Sequence, residues 1–561
     1  MKIAYMSCSP LGKNAYAKCT AAVVYRLLEK HEVDIYASFG ISQAELDWPL
    51  GEEKRVVHII GNPVVAQEHG DWHEGLAEVA HNYDLVIAHC DLWSQWQELQ
   101  KLRASRWVNW VVGDHSPVPA PHRMMFGSDV FAKGVPMTNW FRDELIKCPQ
   151  IDNDKVGPAI YHGVDLDVFY PSPDPKIDVP EGCDFFIISV ADNKGDRENL
   201  CGMIEGYSIF LKETGANAYF YIHTFPQSFT GYNLYNVCAI CEEVYGVKLE
   251  GRIGFKEQQI LPDSFMRDLY TRADCQMMVI HGGSFEIPLI EAGACLCPNI
   301  VTDFSAMPEL VGHGERGLLV PPAAPIWGNR TSSRQMAVNP KDIAKALATY
   351  YYNPSLRHKH AQRMEEWVKE NATWDIIGQQ WLDFLDNLEG EIRDYGKSYF
   401  AIRSGFGVVG EDLILAQRVK GKGLEVGCGL GSLLGYLNKN GCQAEGVDIS
   451  KYAVKVCRDK GLKAQVANAE ELPFDDNSFD YVVSAHTLEH CEDYMKALLE
   501  SLRVAKVGVI HIVPGHTGRD LTHRRYYTRE MMQEVCQSLS GFKAKFWQVD
   551  GVPDWVLEVK K

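Results

Sequence analysis

Short apolar runs alternate along this chain with longer stretches in which apolar residues recur at the helical period. In the first quarter, the apolar runs lie at residues 2–7, 32–37, 55–60, 84–89, 106–112 and 134–138. Amphipathic stretches such as residues 15–30 separate them. This alternation is typical of buried parallel strands joined by crossover helices, and it predicts an α/β fold.

The same alternation starts again twice. It resumes after the proline-rich segment 162–182 and ends in a run of amphipathic helices at residues 340–388. It then begins a third time at residue 423 and continues to residue 513. We therefore expect three sheet domains, which span residues 1–175, 176–388 and 391–561.

Composition and charge agree with a multi-domain globular protein. The chain has 561 residues, of which 46% are hydrophobic and 23% charged. The net charge is -18, but residues 391–561 hold 23 basic and 23 acidic residues, so the whole acidic excess lies before them. An acidic surface repels polyanions, which argues against a nucleic-acid partner.

The cysteine pattern and the hydropathy indicate a cytoplasmic protein. The 16 cysteines are scattered, which favours free thiols, and no apolar run approaches the length of a membrane span. Peripheral contact with a membrane stays open. Cys238 and Cys241 form the only CxxC pair, and we expect them to be buried core residues rather than metal ligands. We expect no metal.

The strongest motif is GKGLEVGCGLGSLLGYLNKNGCQAEGVDIS. A predicted strand ends in Gly427, Gly429 and Gly431, and the next strand ends in Asp448. Glycines let a backbone approach a ligand closely, and an acid at the next strand end can accept hydrogen bonds from a ribose. Ser432 stands where a dinucleotide site would have its third glycine, which disfavours NAD.

Residues 410–515 resemble the class I S-adenosylmethionine-dependent methyltransferases. The resemblance rests on GLEVGCGLG, GVDIS, LPFDDNSFD and LEH, in this order. It implies that the three glycines line the methionine moiety, that Glu425 orients its amino group and that Asp448 holds the ribose. Asn468 and Ala469 fall at the adenine position.

Two histidines follow the fourth strand of this region. His486 and His490 are candidates for the base that removes a proton from a hydroxyl acceptor. For His490, the alternative is packing within the helix that follows. A later basic stretch is either a lid for an anionic substrate or a solvated helix face; it contains Arg519, His523, Arg524, Arg525 and Arg529.

Residues 1–388 resemble the retaining family-4 glycosyltransferases of the GT-B fold. The resemblance rests on PAIYHGVDLDVFYP, on HGGSFEIPLIEAGACLCPNIVTDFSAMPELV and on GERGLLVPP. It implies two Rossmann-like domains in a GT-B arrangement and a nucleotide-sugar donor. The third region adds a methyltransferase domain of Rossmann-like fold.

The glycosyltransferase resemblance implies a set of site residues. Of the family's two glutamates, the second is Glu291, which would accept from the donor ribose, whereas the first falls on Gly283. Glu286 lies three residues later. The remaining candidates are Gly12 near the donor, Asp114 and His115 on the acceptor side, Lys194 and Arg197 as cations, and the backbone amides of Ser284, Phe285 and Glu286 for phosphate.

Together these features predict a bifunctional enzyme of polysaccharide biosynthesis. The first module would add a sugar to a glycan or a glycosylated small molecule, and the second would O-methylate a hydroxyl of the product. The alternative is an active methyltransferase that carries a degenerate GT-B module, which binds a glycan or nucleotide without transfer.

Overall fold

The structure is a computed structural model, and it describes most of the chain. The described residues are 1–12, 14–37, 43–50, 53–61, 76–89, 107–128, 131–256, 261–328, 334–393, 395, 399–400, 410–515, 522–549 and 552–561. Among them, no helix combines the length and the apolar character that a membrane crossing requires. Every described cysteine is a free thiol.

The first sheet has seven strands in the order β3-β4-β2-β1-β5-β6-β7. The strands are β1 (Lys2–Ser7), β2 (Glu32–Ala37), β3 (Gln43–Leu50), β4 (Glu53–Gly61), β5 (Leu85–Ala88), β6 (Trp107–Val111) and β7 (Phe131–Pro136). Its helices are α1 (Ala15–Leu27), α2 (Leu76–Val79), α3 (Ala120–Gly127) and α4 (Asn139–Lys147). All pairs are parallel except that of the edge strand β3 with β4; the apolar pattern predicted β4 but not β3.

The second sheet has six parallel strands in the order β10-β9-β8-β11-β12-β13. The strands are β8 (Phe185–Val190), β9 (Ala218–His223), β10 (Ile253–Phe255), β11 (Cys275–Met278), β12 (Asn299–Thr302) and β13 (Gly317–Val320). The helices are α5 (Leu200–Thr214), α6 (Leu234–Tyr245), α7 (Asp263–Arg272), α8 (Ile287–Ala294) and α9 (Met307–Leu310). A separate antiparallel hairpin, β14 (Pro322–Trp327) and β15 (Arg334–Val338), follows.

Three helices close this part of the chain: α10 (Pro340–Tyr352), α11 (Pro354–Asn371) and α12 (Trp374–Arg393). The last of them returns to the first sheet domain and packs along α1. Arg26 of α1 pairs with Asp375, and Lys30 pairs with Asp386 at 2.7 Å. Helix α12 continues to Arg393, beyond the expected end of the second domain at residue 388. The domain boundaries themselves stay predictions.

The third sheet has seven strands in the order β18-β17-β16-β19-β20-β22-β21. The strands are β16 (Lys422–Val426), β17 (Gln443–Asp448), β18 (Ala464–Val466), β19 (Phe479–Ala485), β20 (Ala505–Val513), β21 (Lys543–Gln548) and β22 (Trp555–Lys560). The helices are α13 (Gly410–Arg418), α14 (Ser432–Lys439), α15 (Lys451–Asp459), α16 (Tyr494–Val504) and α17 (Arg529–Ser538). Five strands run parallel, and β22 pairs antiparallel with both β20 and β21.

Local sequence explains how these helices start next to the strand ends. Ser450 caps α15 because its hydroxyl accepts the Ala453 N–H at 3.1 Å, a contact of about 1 kcal/mol. The apolar face of α15, with Ala453, Val454 and Cys457, is buried. Strands β16, β17 and β19 are parallel neighbours, so their carboxyl ends meet at one edge. That edge is where sheets of this type bind ligands.

Candidate functional sites

A glycine loop follows β16 at this edge. Gly427, Gly429 and Gly431 have φ angles of 73°, 49° and 82°, a region that side-chain-bearing residues rarely adopt. A Cβ on Gly427 would lie 2.2 Å from Thr487 Oγ1, whereas the nearest described atom to a Cβ on Gly429 is Phe400 Cε1, at 3.5 Å. Among the described residues, the loop is therefore closed at Gly427 and leaves space for a ligand at Gly429.

Asp448 ties the end of β17 to this loop. Its Oδ2 accepts the Gly429 N–H at 2.9 Å, and its Oδ1 accepts the Ser450 N–H at 2.8 Å. Burial raises the pKa of this carboxyl above its ordinary value. A carboxylate offers about four lone-pair sites, so two of them remain for a ligand.

Glu425 lies under the same loop, near the end of β16. It is only 4% exposed, and its Oε2 has no hydrogen-bond partner among the described residues. Burial, together with the nearby charge of Asp412, raises the pKa of Glu425 well above its ordinary value. An orphaned carboxyl oxygen of this kind suits a cationic ligand group such as an ammonium.

The adenine-side candidates lie past the end of β18. Asn468 is exposed, and its Oδ1 accepts the Glu470 N–H at 3.0 Å in a local turn. Ala469 is half-buried next to it. Both residues stay predicted contacts.

Sequence reasoning missed a group of aromatic residues that follows α12. Tyr395 places its carbonyl 2.6 Å from Ser450 Oγ, and its ring packs edge-on to His490 at 5.7 Å between centroids. The ring of Tyr399 contacts both Phe400 and His490. These aromatic side chains carry no motif of their own, and only their place beside the glycine loop reveals them.

His486 stands at the end of β19 with its side chain 31% exposed. Its Nδ1 lies 3.5 Å from Glu489 Oε1, and its Nε2 lies 3.6 Å from Asp554 Oδ2. Its φ is 52°, and its N–H donates to the Ile512 carbonyl at 2.9 Å. The imidazole is thus held between two buried carboxylates. Glu489 and Asp554 were not among the sequence candidates; only the LEH motif marked the position of Glu489.

His490 is not taken up by the helix that follows. Its Nδ1 faces the Thr522 carbonyl at 3.1 Å, and its ring packs against that of His523 with centroids 4.7 Å apart. Burial would raise the pKa of Glu489, but His486, His490 and His523 together lower it.

Within the late basic stretch, Arg525 supports the backbone. Arg525 donates to the carbonyls of Leu488, Cys491 and Glu492 at 2.6 to 3.2 Å, so its guanidinium is engaged in the turn before α16. Arg524 and Arg529 are exposed. Arg519 lies outside the described residues.

In the first sheet domain, the predicted acceptor-side pair faces the second domain. Asp114 and His115 are 9% and 6% exposed, and His115 Nε2 lies 2.5 Å from Asp114 Oδ1. Burial would raise the pKa of Asp114, but His115 and Arg197 lower it below its ordinary value. A Cβ on Gly282 of the second domain would lie 3.1 Å from the Asp114 carbonyl oxygen. The two domains therefore meet at this pair.

Arg197 is the cation at this meeting point. Its guanidinium donates to Glu286 at 3.1 Å, to Glu198 at 2.8 Å and to the Gly282 carbonyl at 3.3 Å. Burial would lower the pKa of Arg197, but the two glutamates raise it. Lys194 lies apart from this network, with its exposed side chain paired to Asp192.

The structure shows how Glu286 relates to the missing family glutamate. A Cβ on Gly283 would lie 2.8 Å from Glu286 Oε1, 2.8 Å from Ile280 Cδ1 and 2.9 Å from Met307 Cε. The carboxylate of Glu286 therefore occupies the space that a side chain at position 283 would enter. Burial raises the pKa of Glu286, and Arg197 opposes that shift.

Glu291 lies one helical turn into α8 and is 6% exposed. Lys18, from α1 of the first domain, contacts its Oε1 at 3.2 Å, and the Tyr270 hydroxyl donates to its Oε2 at 3.1 Å. Burial raises the pKa of Glu291, and Lys18 opposes that shift. Lys18 was not predicted, because one lysine in an amphipathic helix carries no sequence signal.

A cavity of about 620 Å³ opens beside Lys18 and Glu291, and the segment from Gly163 to Phe169 lines another part of it. Ser284, Phe285 and Glu286 directly precede the N-terminus of α8, as expected. Gly12 lies in the exposed turn between β1 and α1, where its N–H donates to the Ser9 carbonyl at 3.0 Å.

Comparison with known sequences finds a methyltransferase segment in the third sheet. Residues 424–513 match the methyltransferase domain family. Ajmaline N-methyltransferase of Rauvolfia serpentina is 32% identical over 133 residues, 22% of this chain and 45% of that protein. Demethylmenaquinone methyltransferase of Listeria monocytogenes is 44% identical over 70 residues, 11% of this chain and 30% of that protein. This chain spans less than half the length of these curated relatives.

The first two domains resemble solved structures over their whole length. Sucrose-phosphate synthase from Thermosynechococcus elongatus has a TM-score of 0.52 and 16% identity, covering 69% of this chain and 99% of its own. Anabaena Alr3699/HepE in complex with UDP-glucose has a TM-score of 0.51 and 15% identity, covering 69% of this chain and 100% of its own. Residues 237–331 match the family of glycosyl transferases group 1. The chain therefore joins a GT-B fold with a group 1 glycosyl transferase segment to a methyltransferase domain.

Proposed function

We propose that the chain is a bifunctional enzyme that transfers a sugar from a nucleotide-sugar and a methyl group from S-adenosylmethionine. Its acceptor is a glycan or a glycosylated small molecule in polysaccharide biosynthesis. The observation that carries the proposal is the pair of preformed sites: the open glycine loop over Glu425 and Asp448, and the Arg197 and Glu286 network facing His115. Their presence in one chain supports sequential action on one product.

The residues at the glycine loop fit S-adenosylmethionine. The orphaned Oε2 of Glu425 would accept from its ammonium, and the two remaining lone pairs of Asp448 would accept from its ribose hydroxyls. The open face of Gly429 leaves room for its methionine chain. When bound, S-adenosylmethionine supplies an electrophilic methyl group on a sulfonium.

His486 is the proposed proton acceptor for a sugar hydroxyl. It is the partly exposed member of its cluster, and the hydroxyl proton would move to its imidazole as the oxygen attacks. Glu489 and Asp554 lie within 3.6 Å of its two nitrogens and would stabilise the imidazolium. Their charges also orient the ring, as a carboxylate does in a Ser-His-Asp site.

The GT-B residues support donor binding by charge and by helix geometry. Arg197 and the amides that precede α8 would stabilise the diphosphate as negative charge develops on it. Glu291 would give up its ion pair with Lys18 and accept a hydrogen bond from a ribose hydroxyl of the donor instead. His115, fixed by Asp114, would orient the transferred sugar, since the departing phosphate can itself take the acceptor proton.

Transfer of labelled sugar by the full chain tests the first activity. We expect one of a panel of uridine and guanosine diphosphate sugars to be consumed, and Glu286→Gln to lower the rate about 10-fold to 100-fold because Arg197 loses one of its two carboxylate partners. Glu250→Gln, an exposed residue of the same domain, is the matched control. Donor binding without transfer or hydrolysis would instead establish the degenerate, binding-only module, and no binding at all would refute both.

Methylation tests the second activity. The full chain is incubated with labelled S-adenosylmethionine and the glycosylated product, and base-stable label on a sugar oxygen is expected. Label on nitrogen, or none on any product, would overturn the O-methylation proposal. We place both activities in the cytoplasm, which the free thiols support.

A further inference from the structure

A cluster of three histidines surrounds one buried carboxylate beside the glycine loop. Glu489 is fully buried, and neither of its oxygens has a hydrogen-bond partner among the described residues. Its Oε1 lies 3.5 Å from His486 Nδ1, 3.9 Å from His490 Nε2 and 3.8 Å from His523 Nε2. An ionised carboxylate buried without hydrogen bonds is costly, so this arrangement calls for a cation.

The hydrogen bond of His490 determines which of its ring nitrogens can bind a cation. Its Nδ1 faces the Thr522 carbonyl, which can only accept, so Nδ1 carries the proton in the neutral ring. Nε2 then carries a lone pair, and it lies 3.9 Å from Glu489 Oε1. A backbone carbonyl that fixes the remote nitrogen in this way is the usual second contact of a metal-binding histidine.

Distances favour a metal ion over a proton. The three N···O separations of 3.5 to 3.9 Å exceed the usual 2.7 to 3.2 Å of a hydrogen bond. Two ligand atoms that each lie about 2.1 Å from one tetrahedral ion are about 3.4 Å apart. The carboxylate-to-imidazole distances of Glu489 to His490 and His523 exceed this value by about 0.5 Å or less, and the ligand atoms of all three residues lie within 4.8 Å of one another. One carboxylate with several imidazoles suits a transition metal, whereas Mg²⁺ and Ca²⁺ prefer oxygen ligands.

We propose that Glu489, His490 and His523 form a binding site for a divalent transition-metal ion, with His486 at its open side. The side chains of His490 and His523 are 11% exposed, whereas His486 is 31% exposed, so the site opens toward His486. Three protein ligands leave coordination positions free, which is the pattern of a catalytic rather than a structural site.

The place of the site suggests what it does. Thr487, between His486 and Glu489, contacts the closed end of the glycine loop, so the metal would lie beside the proposed methyl donor. A metal at this position would bind an acceptor hydroxyl, lower its pKa and direct its oxygen toward the methyl group, while the proton passes to His486. This role rests on the proposed O-methylation, but the metal site does not.

Cobalt binding tests the site. The full chain is stripped with a chelator and titrated with Co²⁺, and binding is followed by calorimetry and by the visible absorption of the ion. We expect Glu489→Gln and His523→Gln each to weaken one Co²⁺ site about 100-fold or more. Glu558→Gln, which removes another buried carboxylate of the same domain, should leave that site unchanged.

Failure of the metal site can be distinguished from failure of the methyltransferase proposal. Absence of Co²⁺ binding, or Co²⁺ binding that both variants retain, would overturn the metal site. Folding of each variant is checked by circular dichroism, and His523→Gln serves where Glu489→Gln does not fold. S-adenosylmethionine binding is measured on the same stripped protein: loss of that binding with Co²⁺ retained would refute the methyltransferase proposal and leave the metal site standing.

Discussion

Replacing Asp448 by asparagine, a nearly isosteric change, should weaken S-adenosylmethionine binding. Asp448 accepts the Gly429 and Ser450 N–H groups, and its two remaining lone pairs are assigned to the ribose. Asparagine has nearly the same shape but exchanges one acceptor oxygen for an NH₂ group. The NH₂ group of the asparagine then faces a backbone N–H or a ribose hydroxyl that needs an acceptor. The hydrogen bonds that remain are made to a neutral oxygen instead of a charged one.

The expected loss follows from hydrogen bonds to a charged group, which contribute about 1.5 to 3 kcal/mol each. Allowing for partial retention by the amide oxygen, we expect about 2 to 4 kcal/mol, or a Kd about 30-fold to 700-fold higher. Calorimetry with S-adenosylmethionine and S-adenosylhomocysteine measures this directly. Because burial raises the pKa of Asp448, affinity in the natural protein should also fall as the pH drops through that raised pKa. In Asp448→Asn this dependence should be absent.

Asp480→Asn is the matched control. Asp480 also accepts a backbone N–H, that of Lys422 at 2.8 Å, but it is the second residue of β19 and so lies at the amino end of that strand, away from the carboxyl ends where the glycine loop lies. The Kd of the Asp480→Asn variant for S-adenosylmethionine should stay within about 2-fold of that of the natural protein. The variant weakens the same kind of hydrogen bond to a backbone N–H, but residue 480 does not face the ligand. Equal effects of the two variants, or a Kd of Asp448→Asn within 2-fold of the natural protein, would refute the ribose assignment.

Three further outcomes are expected. Because burial raises the pKa of Glu425, binding of the S-adenosylmethionine ammonium should lower that pKa and release a proton. The calorimetric binding enthalpies in phosphate and Tris, which take up protons with different enthalpies, should therefore differ. Equal enthalpies in the two buffers would contradict this. His486→Gln should lower kcat for methylation about 100-fold or more while the Kd of S-adenosylmethionine stays constant, and an unchanged kcat would remove His486 as the base. Lys18→Met leaves the buried Glu291 without its cation, so the free energy of unfolding in urea should fall. Because the Lys18 side chain is 36% exposed, we expect a loss of about 1 to 2 kcal/mol rather than the about 3 to 5 kcal/mol of a fully buried pair. That loss should grow with pH through the raised pKa of Glu291, whereas Lys30→Met, in an exposed pair, should change little.

The strand and helix order was predictable where each element buries its own apolar face. Strands β1, β8 and β16 are rich in apolar residues and buried along almost their whole length because both faces of a parallel sheet are covered. The edge strand β3 and the hairpin of β14 and β15 escaped prediction. Edge and hairpin strands expose one side, so their sequences mix proline, charge and apolar residues without a clear period.

The two candidate sites differ in how far sequence reasoning reached. Gly429 and Asp448 were found because the parallel-sheet rule brings neighbouring strand ends together, and the structure joins them by a hydrogen bond at 2.9 Å. The sequence did not decide whether Glu286 can take the place of a glutamate at position 283. It depends on Ile280 and Met307, which fill the space around position 283 and leave room only for the Glu286 carboxylate.

The sequence by itself determined the three α/β sheets, the glycine loop and the acid at the next strand end, because these follow from local periodicity and from short connections between neighbouring elements. Tertiary structure alone decided the contacts between distant segments. Lys18 reaches Glu291 across 273 positions, and His523 reaches Glu489 from a separate coil. Such contacts depend on how whole helices and strands pack against one another. That packing decides which side chain lies close enough to pair with a buried carboxylate.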